Sequence, residues 1–118
     1  MAVPPPAARA GGRRRSSASR SETDVEIGVL TLQLHLHDAE SLKDKRRVIR
    51  SLTGRVRARH NVAVAEVDHQ DLLQRSEMAF LGVASHRDPL DKMFDQILEE
   101  AERSVPGDVM ETGREFLG

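Results

Sequence analysis

The chain has no cysteine, tryptophan or tyrosine, and Phe80, Phe94 and Phe116 are its only phenylalanines. Without thiols it has no disulfide framework, thiolate zinc site, cysteine nucleophile or iron–sulfur ligation. No stretch approaches the ~20 consecutive apolar residues of a membrane-crossing helix, so no membrane partner is expected. Proline is sparse, and three of the five residues are Pro4, Pro5 and Pro6. What is present is charge. Of 118 residues, 38% are hydrophobic and 31% charged, the balance of one globular domain with a heavily charged surface.

The net charge of −1 conceals a strong segregation. Residues 1–20 carry +5, 21–40 carry −5, 41–59 carry +7 and 60–118 carry −8. Residues 1–22 form an Arg-, Ser- and Pro-rich arm with almost nothing apolar to offset the entropy of ordering it. It lacks the apolar core of a secretory signal. Two readings of the arm stand side by side: a disordered tether offering Arg13, Arg14 and Arg15, or an upstream extension from a misplaced start. Residues 23–118 read as one domain.

Within that domain hydrophobic periodicity changes register several times. Leu30, Leu32, Leu34 and Leu36 recur at period two and predict a strand over 26–36. Ser41 is a natural N-cap for a helix over 42–59, whose apolar stripe is Leu42, Ile49, Leu52 and Val56. Lys45 lies on the core side of that helix and is expected to snorkel over the stripe. A β-branched run over 62–67 and an apolar run over 77–83 read as a hairpin, joined by a polar loop. Asp88 is expected to cap the second helix with Pro89 at its first position. There Leu90, Met93, Phe94, Ile97, Leu98 and Ala101 keep helical spacing. Pro106-Gly107 ends the helix, and residues 109–117 read as a last strand, at an edge and weakened by Gly113. The order βαββαβ, with short connections and right-handed crossovers, predicts an α+β ferredoxin-like fold. This is a split βαβ with a four-stranded antiparallel sheet and two helices on one face.

Several stretches resemble one family. They are Gly28-Val29-Leu30 with Leu34, Ser41 through Arg47, Arg50-Ser51-Leu52, and Asn61-Val62 through Val67 with Asp71. Together they look like the YlxP-like family, a bacterial domain of unknown function (DUF503), from about residue 25 onward. The resemblance implies a ferredoxin-like fold, an association with ribosome biogenesis and no known activity. Family members usually begin at the first strand, so the arm departs from the pattern.

On a helical wheel Lys43, Arg46, Arg47, Arg50 and Arg57 fall in one stripe about 100° wide that flanks the apolar face. Gly54 lies inside it, although a helix-interior glycine costs about 1 kcal/mol relative to alanine. A functional reading makes the stripe a phosphate-binding surface for ribosomal RNA or the small ribosomal subunit. Two plainer readings compete with it: pairing with the acidic second helix, or a merely solvated charged face. No catalytic set converges, so no enzyme activity, cofactor or metal is expected, and the setting is read as cytoplasmic. If the strand ran on, His35-Leu36-His37 would turn its imidazoles to opposite faces, against a shared metal. His60 is expected to be a favourable charge at a helix C-terminus. Asp68-His69-Gln70-Asp71 reads as turn formers. With one aromatic, Phe80, on the third strand, base stacking as in an RNA-recognition motif has no platform. A reading of a different class takes Ile27, Val29 and either Phe80 or Leu81 on the open sheet face as a homodimer or partner surface.

Overall fold

A computed structural model describes residues 25–117. The elements run β1 (Glu26–His35), α1 (Leu42–Arg59), β2 (Val62–Asp68), β3 (Arg75–Ala84), α2 (Arg87–Ser104) and β4 (Asp108–Leu117). They form one four-stranded sheet in the order β2-β3-β1-β4, with every neighbouring pair antiparallel. This is the ferredoxin-like α+β arrangement expected from the order of periodicities. The arm's Arg13, Arg14 and Arg15 lie outside the described residues.

Alternation along β1 separates two environments. Leu30, Leu32 and Leu34 are fully buried and meet Met78 and Phe80 of β3, Leu52 and Val56 of α1, and Leu90, Phe94, Ile97 and Ala101 of α2. The intervening Val29, Thr31, Gln33 and His35 point to the open face. Phe80 is thus core, and Leu81, 42% exposed, is the open-face residue. Gly28 and Gly82 are directly paired across β1 and β3. A Cβ on Gly28 would come within 2.9 Å of Phe94, and one on Gly82 within 2.6 Å of Met93. The two bare backbones therefore form the seat into which α2 presses its apolar stripe.

The helix starts differ in their chemistry. The Ser41 hydroxyl accepts the Asp44 amide at 3.1 Å, and the Asp44 carboxylate accepts the Glu40 amide at 3.1 Å. These two bonds fix the entry to α1. The cap expected at Asp88 is not found: α2 begins at Arg87, and its N-cap His86 makes no side-chain cap bond. Asp88 and Pro89 instead lie within the first turn, where amides have no intrahelical acceptor and proline removes nothing. β4 is an edge strand, as expected, and its weak point is a bulge. The register against β1 slips between Thr31 and Leu32, leaving Thr112 as the extra residue beside Gly113.

Candidate nucleic-acid interface

Helix α1 carries the basic segment, and its two sides have separate fates. Lys43, Arg46, Arg47, Arg50 and Arg57 are all exposed. Among the described residues only Arg47 of these five has an ion-pair contact, 3.8 Å from Asp44, with both side chains well exposed. Such a pair contributes 1 kcal/mol at most and leaves the guanidinium free to engage another anion. Gly54 lies beside these residues on the exposed surface, and a Cβ built on it would have no neighbour within 4 Å. Packing does not call for the glycine there.

Three of the six carboxylates of α2, those of Asp91, Asp95 and Glu100, are engaged elsewhere. Arg114 of β4 bonds Asp91 at 2.7 Å, Asp95 at 2.8 Å and Glu111 at 2.9 Å. Burial alone would lower the pKa of its guanidinium, but the hydrogen bonds it donates to Glu111, Asp91 and Asp95 outweigh that and raise it. Arg103 takes Glu100 at 2.8 Å. No ion pair joins α1 to α2 among the described residues, so pairing with α2 does not account for the basic stripe. Arg55 and Arg59, on the other flank of α1, act on buried Glu100 at longer range. The Arg103 hydrogen bond chiefly lowers the Glu100 pKa, burial opposes it, and Arg103, Arg59 and Arg55 add through their charge.

Lys45 departs from expectation. Its side chain is 2% exposed, whereas Leu42, placed on the core stripe by periodicity, is 38% exposed. Its ammonium does not reach water. It lies 2.9 Å from the Glu66 carboxylate and donates to the carbonyls of His69 and Leu72. The burial is satisfied because the 69–72 loop turns its carbonyls inward, with His69 at φ 64°. Of the residues read as turn formers, Asp68 ends β2 and its carboxylate accepts the His69 amide at 2.7 Å. Glu66 is also the acceptor of the Ser76 hydroxyl at 2.7 Å. A shallow groove of about 290 Å³ runs between α1 and β2, lined by Arg46, Ile49, Arg50, Thr53 and Glu66. Lys45 neutralises the one carboxylate in that groove, so Arg46 and Arg50 dominate its potential.

Two histidine expectations also change. His60 is the C-cap of α1, but burial first and Arg59 second lower its pKa, with Glu100 opposing. The ring is thereby biased toward neutrality rather than toward a cap charge. His35 and His37 lie on the same side, with ring centroids 4.2 Å apart. Residues two apart along a strand share a face, so the expectation of opposite faces was physically wrong. Sequence alone could have found this pair, but it contains no signal for Asp108 closing on His37 at 2.9 Å.

No helix among the described residues is long and apolar enough to cross a membrane. The chain is 33% identical over 72 residues to "Uncharacterized protein YlxP" of Bacillus subtilis (strain 168), spanning 61% of this chain and 78% of that protein. Among solved structures, "Crystal structure of Putative Chlorite dismutase TA0507" aligns with a TM-score of 0.44 at 15% identity, over 80% of this chain but only 43% of that one. The designed protein Ferredog-Diesel aligns at 0.42 and 7% identity, covering 76% of this chain and 83% of the design. The model of the family described as "Protein of unknown function (DUF503)" matches residues 27–114. That span is most of the molecule, and the chain belongs to the YlxP-like DUF503 family.

Proposed function

We propose that this protein is a non-enzymatic, cytoplasmic RNA-associated module that holds phosphates of structured RNA on helix α1. Ribosomal RNA of the small subunit is the candidate substrate. One observation carries the reading: five exposed cations on one helix stripe, four of them without an ion-pair partner among the described residues. Contacts of this kind position a protein on a backbone without reading sequence. The groove between α1 and β2 sets Arg46 and Arg50 side by side, and Gly54 leaves the helix surface bare near them.

The test is fluorescence anisotropy of labelled small-subunit RNA against the full chain across a salt series. Five phosphates neutralised by α1 correspond to a log–log slope of about 3.5–4.5 in magnitude. The helix share is isolated by Arg46→Glu/Arg50→Glu, expected to lower affinity and cut the slope by about two. An unchanged slope and affinity in that variant would refute the assignment.

A second reading has its own observation. On the open face Leu81, Val83 and Leu117 are 42%, 63% and 56% exposed. Ile27 pairs directly with Val83 and Leu117 across the strands. Such a patch suits a homodimer or a protein partner. A dimer that survives high salt and is abolished by Val83→Glu would favour this interface over the RNA reading.

A further inference from the structure

The polar corner of the open sheet face holds a cluster that the RNA reading does not use. His35 ends β1, and its register partner on β4 is Asp108. His37 follows in the turn, so three donors from two strand ends and one turn converge. One ligand atom from each of His35, His37 and Asp108 lies within 4.8 Å of the others. The convergence depends on backbone: Gly107, at φ 157°, would bring any Cβ within 2.0 Å of the His35 carbonyl. Only glycine lets β4 start close enough to set Asp108 beside the two rings.

A simple His–Asp contact explains part of this cluster. Nε2 of His37 is 2.9 Å from Oδ2 of Asp108. It does not explain His35, whose imidazole makes no side-chain hydrogen bond among the described residues. The ring instead faces His37 and borders a cavity of about 220 Å³, lined also by Gln33, Arg75, Asp108 and Met110.

We propose that His35, His37 and Asp108 form a binding site for a first-row divalent transition cation such as zinc. Two imidazoles and one carboxylate are a borderline donor set that such ions favour, and three protein ligands leave a fourth position open. With its proton on Nδ1, His37 presents the Nε2 lone pair toward the point that the carboxylate also faces. Ligand atoms around one tetrahedral zinc lie about 3.4 Å apart, given metal–ligand distances of about 2.0–2.1 Å. The side chains of His37 and Asp108 are 50% and 78% exposed, so both are free to close that distance. The open position faces the cavity. Arg75 lines it, and its charge opposes a bare cation but complements an anion as the fourth ligand. A second cluster, Asp68, His69 and Glu77, is the internal control. There Lys45 engages only the backbone carbonyl of His69, so the His69 ring is the competing imidazole against which selectivity is read.

The test is titration of the full chain with zinc chloride in a non-chelating buffer, followed by calorimetry and by the imidazole carbon–proton resonances of its five histidines. The expected result is one site per chain, with His35 and His37 shifting and His60, His69 and His86 unmoved. His37→Ala and Asp108→Asn should each weaken binding at least tenfold, and His69→Ala should leave it unchanged. Circular dichroism checks that each variant remains folded. Absence of saturable zinc binding, shifts confined to His69, or affinity that persists in His35→Ala/His37→Ala would each overturn the proposal.

Discussion

Replacing Lys45 by alanine is predicted to destabilise the fold as strongly as truncating a core residue of α1. The side chain is 2% exposed and its partner Glu66 20% exposed. Removing the ammonium leaves the carboxylate with the Ser76 hydroxyl as its remaining partner. It also strips the His69 and Leu72 carbonyls of their shared donor. Breaking a buried ion pair from one side costs about 3–5 kcal/mol. The partial exposure of Glu66 places the expectation at the low end, about 3 kcal/mol. That is a large share of the roughly 5–15 kcal/mol that holds a domain folded. In a domain of this size it lowers the melting temperature by about 12–24 °C. With no tryptophan or tyrosine in the chain, the assay is urea and thermal unfolding by far-ultraviolet circular dichroism. Lys45→Met separates charge from volume, since it keeps the apolar stem. Lys45→Met/Glu66→Gln, which leaves no lone charge, should recover most of the loss. A Lys45→Ala protein within 1 kcal/mol of the wild type would mean that the ammonium reaches water in solution and that the buried network is not its resting place.

Gly54→Ala adds a methyl group where nothing stands within 4 Å, and is expected to stabilise the fold by about 1 kcal/mol. The same methyl stands on the basic stripe, so the RNA reading expects a more stable protein that binds RNA less well, checked by melting temperature and anisotropy. Stability should also depend on pH in two windows. The pKa of Glu100 is lowered in the fold from 4.5, chiefly by the Arg103 hydrogen bond. Its contribution is therefore present above that pH and lost as pH falls through the lower folded value; Glu100→Gln should flatten this acid limb. The pKa of His60 is lowered from 6.5, chiefly by burial. The unfolded chain then binds the proton more readily, so stability falls as pH drops through and below 6.5, and His60→Gln should remove that component in urea midpoints measured against pH.

Most of the fold was legible because local period and global packing agree. The leucines of β1 at period two and the α2 stripe from Leu90 to Ala101 name their own buried faces, and Ser41 marks a helix start that the structure keeps. The basic stripe was legible for the same reason, since helical geometry alone brings Lys43, Arg46, Arg47, Arg50 and Arg57 together. Periodicity failed where a side chain's fate depends on a distant segment. Lys45 stays on the core side but its ammonium is withdrawn from water, because a loop 24 residues or more along the chain presents carbonyls to it. Nothing near Lys45 in sequence encodes that loop.

Residue order by itself determined the succession of elements, the identity of the core faces and the concentration of positive charge in the N-terminal segment and helix α1. These follow from spacing, chirality and side-chain chemistry within single segments. Tertiary structure decided which charges are free. Arg114 arrives from β4 to occupy Asp91 and Asp95, Lys45 is withdrawn to Glu66, and Asp108 closes on His37 across 71 residues. Charge pairing falls off with distance through space rather than along the chain, so only the packed sheet and helices could settle which cations remain for a partner.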